Sequence, residues 1–324
     1  MPADQISDVA VVALPLRTKF RGIVVREALI FRGSQRWSEF SPFVEYEDEE
    51  ASGWLAGAIS WANDPLPSTF RAAIPVNATL PAVGPEDVAD VLTPFGSFGS
   101  VKIKVAEKGQ SLADDVARAR KVRDLYPEAK IRLDANAGYT TEDTMVVARE
   151  LRDLDLEYIE QPVKTIAELK ELRTWLAEEQ IPLKIAVDES IRKSTDPLLV
   201  AREQAADIAV IKVQPLGGIR RAMAIASESG LEIVVSSALE TSIGISHGLH
   251  LAAAMPNLNY DCGLATAKLL GGDVVEDPLF SDEGEIELRE VSPSEELLAK
   301  HAASQERKAW WLDRLERCLR LLES

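Results

Sequence analysis

Lys102 and Lys104 stand two residues apart in the apolar run Val101-Lys102-Ile103-Lys104-Val105. A β-strand has a side-chain period of two, so both ammonium groups would leave the same face of it. If that face lines a confined site, the like charges depress each other's pKa, and one lysine becomes a general base near neutral pH. On an edge strand the same string means only a solvated lysine face, so the pair needs acidic partners elsewhere. Three later apolar runs supply them: Ile131 to Asp134, Leu156 to Glu160 and Leu183 to Asp188, the last followed by Glu189. A further run, Ile208 to Lys212, ends in a lysine. A carboxylate closing an apolar strand is costly unless it is paired or bound to a cation. Taken singly, Asp134 could cap the next helix and Asp188 could end a strand in a turn. Taken together, three acids from three consecutive strands aim oxygen donors at one place, which suits a hard cation, magnesium or in its stead manganese.

The elements that would position these residues follow from the rhythm of the chain. Two alternating runs, Val9 to Leu16 and Gly22 to Phe31, read as strands joined by a mobile basic connection, Arg17 to Arg21. Trp37 to Pro42 adds a third short strand, and Glu49 to Ala62 reads as a helix stopped by Asp64-Pro65. From Arg71 to about Gly271 apolar strands alternate with amphipathic helices. The strands are expected at Ile74 to Asn77, Val101 to Val105, Ile131 to Asp134, Leu156 to Glu160, Leu183 to Asp188, Ile208 to Lys212, Ile233 to Ser236 and Leu258 to Cys262. The helices include Leu112 to Leu125, Thr141 to Leu151, Ile166 to Leu176, Pro197 to Ala205 and Ile219 to Ser229. From Lys104 onward strand ends recur every 24 to 30 residues. That alternation means parallel pairing with right-handed crossovers, and eight strands suffice for a closed β/α barrel. A doubly wound open sheet would place a glycine-rich loop after an early strand, and none is there. Ser292 to Ser324 reads as one or two helices, with Trp310, Trp311 and Leu315 in an apolar stripe that packs back on the N-terminal unit. The expected units are therefore residues 1–70, 71–274 and 275–324. In a β/α barrel the chemistry sits at the strand ends, which adds Asn136, Ser236 and Ser237 around the mouth.

Composition narrows the function. At 324 residues, 46% hydrophobic and 27% charged, the chain has the make-up of an ordinary globular protein. Its net charge of -17 opposes nucleic acid and anionic membrane over most of the surface. An anionic substrate would need local positive charge, which the lysines and a cation provide. Two cysteines, Cys262 and Cys318, exclude a disulfide framework and a multi-cysteine zinc site. No apolar run approaches a membrane span, and residues Met1 to Ser7 lack the layout of a signal segment, so a cytoplasmic location is expected.

The strings Lys102-Ile103-Lys104, Leu133-Asp134-Ala135-Asn136, Ile159-Glu160-Gln161-Pro162, Asp188-Glu189-Ser190 and Ile211-Lys212 together resemble the enolase superfamily, in its muconate-lactonizing-enzyme subgroup. Within it the chain is most similar to the o-succinylbenzoate-forming dehydratases. Phe20-Arg21-Gly22, Trp37-Ser38-Glu39-Phe40-Ser41-Pro42-Phe43, Pro75-Val76-Asn77-Ala78-Thr79 and Gly217-Gly218 carry that likeness. Ser38 departs from it, since the family usually has glycine after the tryptophan. The resemblance implies a modified (β/α)7β TIM barrel, with an α+β capping domain formed by the N-terminal region and the C-terminal segment. It also implies magnesium on Asp134, Glu160 and Asp188, and a small anionic carboxylate substrate. Lys104 would be the base that removes the proton next to the carboxylate. Lys102 would neutralise its oxygens, Lys212 would face the ring, and Arg21 of the cap with Asn136, Ser236, Ser237 and Gly263 around the mouth would be candidates for holding the substrate. No nucleic acid or membrane partner is expected, and a monomer is favoured over a homo-oligomer.

Other functions use similar residues. N-acylamino acid racemases, dipeptide epimerases and cycloisomerases of the same superfamily share the lysines and acids, and the short cap and chain favour the dehydratase. Gly244-Ile245-Ser246-His247-Gly248 matches the nucleophile elbow of serine hydrolases. That motif needs its serine on a tight turn directly after a strand, whereas Ser246 falls where a helix starts, so packing glycines account for it better. A barrel that has lost its activity is disfavoured because every catalytic position is filled.

Overall fold

The structure, a computed structural model, describes residues 2–323. The chain begins with a three-stranded antiparallel sheet of β1 (Ser7–Phe20), β2 (Ile23–Arg32) and β3 (Trp37–Phe40), in that spatial order. The basic connection between the first two strands is no loop. β1 runs on through it, and Phe20 pairs with Ile23 across a two-residue turn of Arg21 and Gly22. Both turn residues have positive φ, 49° and 79°, which matches the twist of a tight hairpin. Helix α1 (Asp48–Asn63) covers this sheet, burying Trp54, Leu55 and Ala58 against Leu29, Phe31 and Phe40.

The expected first barrel strand is divided. β4 (Ala73–Pro75) pairs antiparallel with a late strand, and β5 (Ala78–Leu80) opens the parallel sheet. There follow α2 (Val88–Leu92), β6 (Ser100–Lys104), α3 (Leu112–Leu125), β7 (Lys130–Asp134), α4 (Thr141–Glu150), β8 (Leu156–Glu160) and α5 (Ile166–Glu178). Next come β9 (Lys184–Val187), α6 (Glu189–Arg192), α7 (Leu199–Arg202), β10 (Ile208–Ile211), α8 (Ile219–Ser229), β11 (Glu232–Val235) and α9 (Ser242–Ala254). The helix expected over Pro197 to Ala205 is thus a single turn. Seven strands form one sheet in sequential order from β5 to β11. The eighth is reduced to two residues: Gly263 bridges Ser236, and Cys262 bridges Val76. Gly263 N donates to Val235 O (2.9 Å) and Cys262 N to Pro75 O (2.7 Å), so the two edges of the sheet meet through them. β12 (Glu285–Glu287) then pairs with β4, and α10 (Glu295–Lys300) leads to α11 (Gln305–Glu323). Helix α11 returns to the cap, where Trp311, Leu315 and Cys318 join the core built on α1.

Local sequence explains the regularity. Three crossover helices start with capping boxes, Ser111 with Asp114, Thr140 with Asp143 and Thr165 with Glu168, each satisfying free amide groups at the helix start. β6 and β10 are buried throughout and β8 at all but one residue, as parallel strands under helices must be. On β6 to β8 alternate residues, Val101, Ile103, Ile131, Leu133 and Ile159, pack in the core shared with the outer helices. The intervening ones point into the barrel. There Tyr158, Ala186, Ile208, Val210, Val234 and Tyr260 form a separate apolar layer. The strand register sets Lys104 beside Asp134 and Asp134 beside Glu160, above that layer. Among the described residues no helix is long and apolar enough to cross a membrane.

Candidate active site

At the carboxyl ends of the barrel strands lies a cleft roofed by the β1–β2 hairpin. Its walls include Lys102, Lys104, Asp134, Asn136, Lys212, Ser236, Ser237 and Gly263 from the barrel and Phe20, Arg21 and Phe43 from the cap. It encloses about 400 Å³, mouth included. A larger hollow of about 850 Å³ lies on the cap between Val25, Val44 and Trp310. None of the lysines above reaches it, so the chemistry belongs to the smaller space. Glu160 and Asp188 sit behind the cleft wall, fully buried.

The charged groups interlock. Lys104 Nζ donates to Asp134 Oδ2 (2.5 Å) and Asn136 Oδ1 (2.6 Å). Lys102 Nζ donates to Glu160 Oε2 (2.9 Å) and lies 3.4 Å from Asp134 Oδ2. Lys212, four strands further round the ring, donates to Asp188 Oδ2 (2.6 Å). The two strand-sharing lysines differ electrostatically. Burial lowers the pKa of Lys104, Asp134 opposes this, and the charge on Lys102 adds to the depression. For Lys102 burial also acts against the charge, but Glu160 and Asp134 outweigh it and hold the ammonium well above its usual range. Burial and then the neighbouring Asp134 charge push Glu160 up to about 7. Asp134 and Asp188 stay below the ordinary carboxylate range because the surrounding cations overcome their burial: Lys104 and Lys102 for the first, Arg192 and Lys212 for the second.

These acids offer only oxygen donors, the set a hard divalent cation takes. As they stand their oxygens are turned to lysines and arginines, and among the described residues no three His, Cys, Asp or Glu side chains gather round one point. One oxygen is nonetheless left over. Glu160 Oε1 is buried with no hydrogen-bond partner, a costly state that a bound cation would relieve. The residues therefore fit such an ion.

Around the mouth, Ser237 Oγ donates to Gly263 O (2.6 Å) and meets Thr266 Oγ1 (2.7 Å). A side chain at Gly263 would put its Cβ 2.4 Å from Ser236 Oγ, so the Ser236 hydroxyl would have to turn away to admit one. Arg21 stacks its guanidinium 4.4 Å from the centre of the Phe43 ring. Phe20, which is not among the residues expected to hold a substrate, has its ring centre 5.2 Å from Lys104 Nζ. Phe43, Thr79, Ala238, Leu239 and Thr266 also line the cleft without having been expected there. Arg192 was missed as well; it bonds Asp188 Oδ1 (3.0 Å) and Glu189 Oε1 (2.8 Å) and reaches Tyr46 Oη of the cap (3.2 Å). Its position four residues after Asp188, on a helical turn, was the available signal. Ser246 lies within α9, buried, with its hydroxyl donating to Ile243 O (2.6 Å), and so forms no nucleophile elbow. Ser38 Oγ donates to Ala58 O (2.8 Å), tying β3 to α1.

Residues 87–293 match the enolase C-terminal domain-like family, and residues 11–62 the enolase N-terminal domain-like family. The o-succinylbenzoate synthase of Mycolicibacterium smegmatis is 47% identical, over 98% of this chain and 97% of the relative. That of Thermobifida fusca is 48% identical over 89% of each chain, and that of Mycobacterium tuberculosis is 46% identical over 96% of this chain and 94% of the relative. Among solved structures, 2-chloromuconate cycloisomerase from Rhodococcus opacus superposes with a TM-score of 0.79 at 22% identity, covering 93% of this chain and all of that one (100%). Muconate lactonizing enzyme from Pseudomonas fluorescens does so at 0.77 and 20%, covering 92% and 99%. At such identities the structural likeness speaks for the fold alone.

Proposed function

This chain belongs to the enolase superfamily, and from that premise we propose that it acts as an o-succinylbenzoate synthase. The reaction removes water from 2-succinyl-6-hydroxy-2,4-cyclohexadiene-1-carboxylate to give 2-succinylbenzoate, a step of menaquinone biosynthesis. The observation that carries this reading is identity of 46 to 48% with several o-succinylbenzoate synthases over nearly the whole chain.

The site supports the chemistry residue by residue. Members of the superfamily generally use magnesium, and here Asp134, Glu160 and Asp188 would hold it. When bound, the ion supplies positive charge against the substrate carboxylate as negative charge builds there. Lys104 takes the proton from the carbon next to that carboxylate. Its burial beside Lys102 favours the neutral amine this step requires. Lys102, kept charged by Glu160 and Asp134, neutralises the same carboxylate oxygens. Lys212 stands across the barrel and offers its ammonium to the ring as electrons move through it. Lys104 then returns its proton to the departing hydroxyl, which leaves as water and yields the aromatic ring. Phe20 and Phe43 cover the cleft and keep bulk water from the intermediate. Arg21, Asn136, Ser236 and Ser237 would hold the remainder of the anionic substrate.

Purified protein should convert the cyclohexadiene substrate in the presence of magnesium and lose that activity in EDTA. A succinylated amino acid offered in parallel, to wild type and Lys212→Ala, tests the racemase alternative. Racemization without dehydration would overturn the assignment.

A further inference from the structure

We propose that Glu39, in the cap and outside the catalytic set, is a positioning residue that shapes the substrate cleft by holding the turn from Ala238 to Thr241. Glu39 lies on β3 and is fully buried where cap meets barrel. Its Oε2 accepts hydrogen bonds from Thr241 N (3.1 Å), Thr241 Oγ1 (2.5 Å) and Gly244 N (3.1 Å), all at the start of α9. Its Oε1 accepts from Ser41 Oγ (2.6 Å). A carboxyl group from the cap thus supplies the acceptor oxygen for the free amide groups at the start of a barrel helix.

The turn that this contact anchors is strained and lines the cleft. Leu239 has φ +66°, a left-handed conformation that a branched residue holds only when its surroundings impose it. Arg26, also from the cap and also buried, completes the grip: its Nε donates to Leu239 O (3.0 Å) and its Nη2 to Ala238 O (3.2 Å). Ala238 and Leu239 in turn line the cleft beside Lys212 and Phe43, whereas Glu39 does not. Gly244 makes the approach feasible, since a Cβ there would lie 2.9 Å from Glu39 Cδ and 2.5 Å from Glu240 Cβ. The glycine that suggested a hydrolase elbow is the one that admits this carboxylate.

The turn follows β11, away from the Lys104 side where the proton moves. Releasing it should therefore weaken substrate binding more than turnover. The inference rests on the dehydratase reading, and the two can fail separately: wild-type turnover tests the reading, and the variants measured against wild type test Glu39. Glu39→Gln and Thr241→Val should each raise KM about tenfold with kcat within about twofold, since small misplacements in a site are costly. The double variant should be no worse than the more severe single one, because both cut the same contact, and Thr241→Ser should keep a wild-type KM. Unchanged KM with a lowered Tm, or additive effects on KM in the double variant, would overturn the proposal. Should Glu39→Gln fail to fold, Thr241→Val against Thr241→Ser decides alone, equal KM values being the contrary result.

Discussion

Lys102 and Lys104 share a strand face and a spacing, yet different neighbours give them different work. Lys102 is clamped between Glu160 and Asp134, which favour its charged form. Lys104 faces Asp134 and Asn136 under the Phe20 ring, where burial favours the free amine. The K-x-K spacing suggests that both lysines are depressed, yet the balance falls below the usual range for Lys104 alone, because Glu160 and Asp134 outweigh burial at Lys102. Lys104→Ala should lower turnover by about 10²–10⁴-fold or more and abolish exchange of the substrate α-proton with solvent, followed by NMR in D₂O. Exchange that persists in Lys104→Ala would move the base to another residue.

Among the elements, β3 and α9 are the pair whose contact reaches furthest, because it couples the cap to a wall of the cleft. Glu39 at this contact has its carboxyl pushed up to about 7, by burial and then by the charge on Glu240. A carboxyl that binds its proton more tightly when folded stabilises the folded state at low pH. That contribution is lost as pH rises from its ordinary 4.5 to about 7. The Tm of wild type should accordingly fall relative to that of Glu39→Gln across this window and run parallel above it. A constant Tm difference from pH 4.5 to 8 would contradict the assignment. The hairpin of β1 and β2 shows a related effect, since its length came from pairing of Phe20 with Ile23, which a basic, non-alternating stretch did not advertise.

In the molecule as a whole, the first and last segments of the chain build one cap over the barrel mouth. Trp311 on α11 is fully buried against Phe40, at 5.8 Å between ring centres, and its indole N–H reaches Glu27 (2.8 Å). Trp311→Ala should cost about 3–5 kcal/mol, read from the denaturant midpoint. A loss below about 1 kcal/mol would show that α11 contributes little to the cap's stability. Since the cap carries Phe20, Arg21 and Phe43, that variant should also raise KM for the substrate.

The alternation of apolar strands and amphipathic helices, and the residue type closing each strand, were local properties, so the barrel, the lysines and the acids could be read directly from the sequence. Period-two geometry turns such local order into a shared inward face without reference to the rest of the chain. What depended on distant segments could not be read in that way. The first strand lost Ile74 to an antiparallel pairing with residues 285–287, and the eighth is confined to Cys262 and Gly263, which bridge the two edges of the sheet. The cleft wall from Ala238 to Leu239, the Phe43 lid and the grip of Glu39 and Arg26 arise where cap and barrel meet. Those contacts join residues some 200 positions apart, and only the packed chain brings them within hydrogen-bond reach.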